Sequence, residues 1–329
     1  MSTISQPENT PTRSLENFRG DFDAIGLLMK QSWGKNDKQA LLYTKEFLQS
    51  CFEYPQASHG FAPTIYHGTA PIAFVAGFPR RVRYKERELN ILLITFLTVA
   101  PEYKKSGYGV VVWSELVKRA RASGFDGMVN YCVEGEAMNR MIVGCCRRLG
   151  LQAERIYSVH YLSCILFPKS EDVSAAAESM AIDTLMEIGN PVGDLVPLAR
   201  IWTREEAAWQ CNRPGAVIAI TVHGARSGMI TGYIMPAADG KETKCLLVED
   251  VLWGNLEAEE REALVRQLKT KAAAAGARVA TLPVLGYAGT DPFKASRFRP
   301  SQRILHAYLT VWSDAPALHE LSSFYLDVF

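Results

Sequence analysis

The stretch Leu97-Thr98-Val99-Ala100-Pro101-Glu102-Tyr103-Lys104-Lys105-Ser106-Gly107-Tyr108-Gly109 decides how this chain is read. The run from Leu89 to Val99 is β-rich and apolar on both faces, which marks a central strand. Beyond the glycines, Val111, Trp113, Leu116, Val117 and Ala120 recur at helical spacing, and Gly124 ends the helix. A strand therefore passes through a glycine loop into a helix. Such a loop aims several backbone N–H groups at one point, at the positive end of the helix dipole. Gly107 and Gly109 let an anion approach the backbone, and Lys104 and Lys105 add positive charge. The chemistry that fits is a pyrophosphate. The phosphate loop GxxxxGK[ST] is absent, and so is the third glycine of a dinucleotide-binding fingerprint.

Upstream of this stretch, helical patterns run from about residue 21 to 33 and from about 37 to 52, the second with Leu41, Phe47, Leu48 and Phe52 on one stripe. Thr64-Ile65-Tyr66, a His67-Gly68 turn and Ile72 to Phe78 read as a hairpin. The basic cluster Arg80, Arg81, Arg83, Lys85 and Arg87, interleaved with Glu86 and Glu88, reads as a solvated hairpin end. Downstream come a strand from Met128 to Val133, a helix from Asn139 to Leu149 and a strand from Ile156 to Leu166.

The second half repeats this order. Val222-His223-Gly224 matches Tyr66-His67-Gly68, and Leu246 to Trp253 is a second long strand. Leu256 to Ala275 is a helix closed by Gly276, and Arg303-Ile304 through Tyr308-Leu309 echoes Arg155-Ile156 through Tyr161-Leu162. Two copies of one mixed α/β unit are expected, at 13–167 and 179–329, after a polar tail at 1–12 and around a Ser-, Ala- and acid-rich linker at 168–178.

Composition narrows the function. Hydrophobic residues are 48% and charged residues 22%, which excludes wholesale disorder. Lys plus Arg is 36 against 35 for Asp plus Glu, so no net charge recommends nucleic acid or an anionic membrane as partner. Met1 to Thr12 holds no apolar leader, and the longest apolar stretch, Leu89 to Ala100, is about half the ~20 residues of a spanning helix. A cytoplasmic protein with reduced thiols is expected. Seven cysteines without a CxxC and six histidines without a close pair offer no metal site.

The loop stretch resembles the GNAT superfamily of acyl-CoA-dependent N-acyltransferases. In that family a strand ending V-x-P leads into [QR]-x-x-G-x-[GA]. Here Val99-Ala100-Pro101 leads into Lys104-Lys105-Ser106-Gly107-Tyr108-Gly109, with Lys in the first position. A second family motif, roughly N-x-x-A-x-x-L-Y-x-K-x-G-F, is met at Asn139, Arg148, Gly150 and Leu151. Its tyrosine position, often the acid for the departing CoA sulfur, is Cys146.

The resemblance implies a tandem GNAT fold with acyl-CoA, most simply acetyl-CoA, as co-substrate and no metal. It gives the pyrophosphate to residues 104–109, the pantetheine and thioester to backbone groups from Leu97 to Val99, and a further CoA contact to Asn139. It implies direct acyl transfer to the amine of a small molecule. Cys146 is then either the acid or simply packing. The strand carries no carboxylate, so the base is sought at Glu134, with Glu136 and His160 as further candidates; solvated or helix-capping acids are the other reading of the two glutamates. Acyl-CoA binding without turnover and a carrier-protein donor are alternatives, and a homodimer is left open. In the second half the loop position holds Gly254-Asn255-Leu256-Glu257-Ala258-Glu259-Glu260. Acids crowding a helix start repel a pyrophosphate, so this copy is expected not to bind acyl-CoA.

Overall fold

The computed structural model describes residues 12–33, 40–167, 178–239, 241–312 and 318–328. The first half runs β1 (Arg13–Asn17), α1 (Phe22–Trp33), β2 (Ala40–Leu41), α2 (Lys45–Phe52), β3 (Pro63–His67), β4 (Ala70–Tyr84), β5 (Arg87–Val99), α3 (Tyr108–Ala122), β6 (Gly127–Val133), α4 (Ala137–Arg148) and β7 (Gln152–Ile165). The second runs α5 (Glu178–Gly189), β8 (Leu198–Arg200), α6 (Arg204–Asn212), β9 (Ala216–His223), β10 (Arg226–Asp239), β11 (Lys241–Leu252), α7 (Ala258–Ala274), β12 (Val279–Val284), α8 (Asp291–Ala295) and β13 (Arg299–Val311).

The strands form one mixed sheet in the order β1-β3-β4-β5-β6-β13-β7-β12-β11-β10, with β9 and β2 on β10 and β8 on β4. This order reads as two copies of one unit. The hairpin β3–β4 corresponds to β9–β10, the parallel pair β5–β6 to β11–β12, and helix α3 to α7. The final strands are exchanged across the centre: β13 lies between β6 and β7, and β7 between β13 and β12. The echo between residues 155–162 and 303–309 thus comes from two strands that pair with each other, Tyr308 opposite Arg155 and Ile304 opposite His160.

β5 has the expected two-sided burial. Leu92 and Ile94 enter a core with Trp113 and Leu116 of α3 and Leu48 of α2, while Ile91 and Leu93 enter another with Leu305, Leu309 and Phe324. Each such side chain contributes roughly 1.5–3 kcal/mol when fully buried. No helix among the described residues is long and apolar enough to cross a membrane. The seven cysteines are free thiols, six of them buried.

Three expectations need correction. The helix read over 37–52 is confined to Lys45–Phe52, capped where the Thr44 hydroxyl accepts the Phe47 N–H at 3.3 Å. Ala40 and Leu41 instead pair with Ala238 and Ala237 of β10, a partner that local periodicity does not register; residues 34–39 lie outside the described residues. Arg80 is not part of a solvated hairpin end. It is buried in β4, with its Nε 2.9 and 3.0 Å from the two carboxylate oxygens of Asp327. His160, the further candidate for the base, is exposed on β7, although a lone histidine beside Tyr161 on an apolar strand is expected in the core. Most of the linker, 168–177, and of the tail, 1–11, lies outside the described residues.

Candidate functional site

The site begins where two parallel strands part. β5 and β6 are in register from Ile91 opposite Gly127 to Ile94 opposite Asn130, and no further. β5 continues against β4, with one extra residue between the pairs Ala76–Thr95 and Phe74–Thr98. That bulge holds Phe96 at φ 62°, a conformation costing a non-glycine residue of order 1–3 kcal/mol. Aromatic packing keeps it there: its ring lies 5.4 Å from Tyr43, 6.3 Å from Phe47 and 6.1 Å from Phe78. β6 meanwhile follows β13, with Cys132 opposite His306 and Val133 opposite Leu305. Past Asn130 the two limbs part, and along this opening between them β5 from Thr95 to Val99 runs without a β6 partner.

At the end of the β5 limb, a 3-10 turn at Pro101–Tyr103 leads to Gly107. Gly107 stands at φ 81° as the residue before α3, and a Cβ there would point into open space. The first turn of α3 carries no acid and Gly107 offers no side-chain cap, so this positive helix end is open to an anion. Gly109 packs closely; a Cβ on it would lie 3.3 Å from Val99. Ser106 stiffens the loop, donating to Tyr103 O at 2.7 Å and accepting the Tyr108 N–H at 3.2 Å. Lys105 is exposed, and Lys104 reaches Ser32 O at 3.3 Å.

A third cation comes from far away in sequence. Arg13 of β1 donates to Tyr108 Oη at 2.8 Å, with its guanidinium 5.4 Å from the Tyr103 ring and 5.8 Å from the Tyr108 ring. No motif signals it.

The second copy closes the same place. Its parallel pair extends only over Cys245–Leu247 against Val279–Thr281. Its helix α7 is capped from within: Glu257 and Glu260 form a reciprocal capping box, the Glu257 N–H donating to Glu260 at 2.9 Å. Arg226 pairs with both acids.

Residues 24–150 match the model of the acetyltransferase (GNAT) family. The first half thus resembles a GNAT domain. Among solved structures, Saccharomyces cerevisiae N-myristoyltransferase with bound myristoyl-CoA is similar over 96% of this chain and 82% of its own, at 12% identity and a TM-score of 0.71. Another structure of that enzyme, with myristoyl-CoA and inhibitors, gives 94%, 82%, 13% and 0.69. These likenesses establish the fold, two GNAT units in one chain. No curated protein matches the chain by sequence.

Around the GNAT opening the remaining sequence candidates fall in different places. Glu134 follows β6, exposed, with its N–H bonded to Ile304 O at 3.0 Å. Its carboxylate is 3.7 Å from His306 Nε2, and His306 Nδ1 is 3.0 Å from Ser158 Oγ. His306 is buried on β13, so a residue of the second half backs an acid of the first. Cys146 has no exposed surface. It lies 3.7 Å from Thr310 Oγ1, and burial pushes its thiol up to about 11. Asn139 is on α4, where its side-chain oxygen accepts from Tyr308 Oη at 2.8 Å. Tyr308 also belongs to β13. Arg13, His306 and Tyr308 escape sequence reading because strand pairing, not sequence proximity, brings each to its partner.

Proposed function

We propose that the opening between β5 and β6 binds acyl-CoA and that the acyl group passes directly to an amine. The observation that carries this is the contrast between the two helix starts. α3 is open and flanked by Lys104, Lys105 and Arg13, while α7 is closed by its own glutamates. The pyrophosphate then sits at residues 104–109, and the pantetheine runs along the unpartnered edge of β5. Backbone N–H groups between Leu97 and Val99 polarise the thioester carbonyl. The amine nitrogen attacks that carbon, the C–N bond forms, the C–S bond breaks and its electron pair leaves with the CoA sulfur. Glu134 takes the proton released by the amine, with His306 and Ser158 behind it. The acceptor is a small-molecule amine and the simplest donor is acetyl-CoA.

One observation favours a second reading, binding without turnover. Cys146, in the position of the family's acid, is sealed in the core. In that case the departing thiolate has no side-chain acid from α4.

Calorimetry with acetyl-CoA, myristoyl-CoA and CoA, followed by thiol release against a panel of amines, tests both. Binding with turnover supports the transferase, and binding with no turnover on any amine supports the second reading. Absence of binding overturns both.

A further inference from the structure

Asn130 is the last residue of β6 still in register with β5, so it stands at the inner end of the opening. It is 4% exposed. Its side-chain oxygen accepts the Trp113 Nε1–H at 3.0 Å. An indole nitrogen only donates, so this bond settles which end of the amide faces α3 and turns the NH2 group elsewhere. That NH2 nitrogen is buried and has no hydrogen-bond partner. A buried donor left unpaired costs roughly 1–3 kcal/mol, and few are tolerated in a native core. On the other limb, Thr98, 3% exposed, holds a second buried oxygen without a partner. The two unsatisfied groups thus belong to the two strands that part.

We propose that the Asn130 NH2 group donates to the carbonyl oxygen of the transferred acyl group. This rests on the acyl-CoA reading of the opening and adds a side-chain donor to the backbone groups of β5. Asn130 stands on β6 level with Ile94, three residues short of Leu97 on β5, so the thioester would be held from both limbs at the point where they part. Trp113 is a positioning residue: it holds the amide in the one orientation that offers a donor.

The test compares acetyl-CoA with CoA, which lacks the acyl carbonyl, by calorimetry on the full chain. Asn130→Leu keeps the size of the side chain and removes the donor. The expected result is at least a tenfold loss of acetyl-CoA affinity with CoA affinity within about twofold of wild type. Equal losses for both ligands, or no loss for either, would overturn the proposal.

Should Asn130→Leu fail to fold, side-chain amide 1H–15N resonances of the wild-type protein decide. The Asn130 NH2 pair, assigned with Trp113→Phe, should shift downfield with acetyl-CoA and stay in place with CoA. The same movement with both ligands, or none, would refute it. A wild-type protein that binds neither ligand would instead refute the acyl-CoA reading and this inference with it.

Discussion

The Val251 N–H donates to the phenolic oxygen of Tyr287 at 2.9 Å. Val251 lies on β11 beyond its last pairing with β12, at the place where the first copy leaves its strand edge open. Tyr287 comes from the turn after β12, one residue past Gly286 at φ 81°. The matching turn after β6 has Gly135 at φ 83°, followed by Glu136. So Val133-Glu134-Gly135-Glu136 in one copy stands against Val284-Leu285-Gly286-Tyr287 in the other. The tyrosine fills the second opening with the protein's own hydrogen bond. The chain near its end adds to the closure: the Phe324 N–H bonds to Leu285 O at 3.0 Å, and Tyr325 Oη donates to Asp250 at 2.9 Å.

Tyr287→Phe leaves the Val251 N–H without its partner while keeping the ring. The unfolding free energy, read by urea denaturation, is expected to fall by roughly 1–3 kcal/mol. CoA affinity should be unchanged, because the loss is confined to the second copy. Acyl-CoA binding that moved with this substitution would count against assigning the ligand to the first.

Arg13→Ala removes the cation stacked beside Tyr103 and Tyr108. Calorimetry should show CoA binding weakened about tenfold at low ionic strength, since one charge-assisted phosphate contact is worth of order 1.5–3 kcal/mol. Added salt should narrow the gap between variant and wild type, because screening weakens the lost interaction. Dephospho-CoA, without the 3′-phosphate, separates a contact to that group from one to the pyrophosphate.

Glu134→Gln preserves shape and removes the proton acceptor. With an amine that supports turnover, kcat is expected to drop by about 10²–10⁴, the usual range for a positioned acid or base. Affinity for acetyl-CoA should hold. His306→Gln should give a smaller loss of kcat. An unchanged kcat for Glu134→Gln would return this glutamate to the status of a solvated loop acid.

Asp327 is buried between two guanidinium groups, Arg80 and, 3.3 Å away, Arg200. Burial alone would raise its carboxyl, but the two arginine charges hold it down to about 2, below the ordinary 3.8. A depressed carboxylate stabilises the fold at pH values above its unfolded pKa, and that stability drains away as pH falls from about 4 towards 2. Asp327→Asn should lower the unfolding free energy at neutral pH by about 3–5 kcal/mol, because it leaves two buried arginines without their anion. It should also flatten the acid limb of stability against pH. Thermal melts at pH 3, 4, 5 and 7 check both.

The sequence alone carried a good part of this. Leu97 to Gly109 identifies itself because a buried strand, a glycine turn and a helix start are local features, each set by neighbouring residues. The order of elements in both halves was legible for the same reason, as was the closed start of α7, announced by Glu257, Glu259 and Glu260. Tertiary structure alone decided what meets across the sheet. Exchange of β7 and β13 brings His306 behind Glu134 and Tyr308 onto Asn139; the same packing shuts Cys146 against Thr310. Arg80, read from its charged neighbours as solvated, is buried because Asp327 folds back onto it from the far end of the chain. Strand pairing joins residues through backbone hydrogen bonds that any side chain permits, so a sequence pattern records which residues form a strand but not which strand lies beside it.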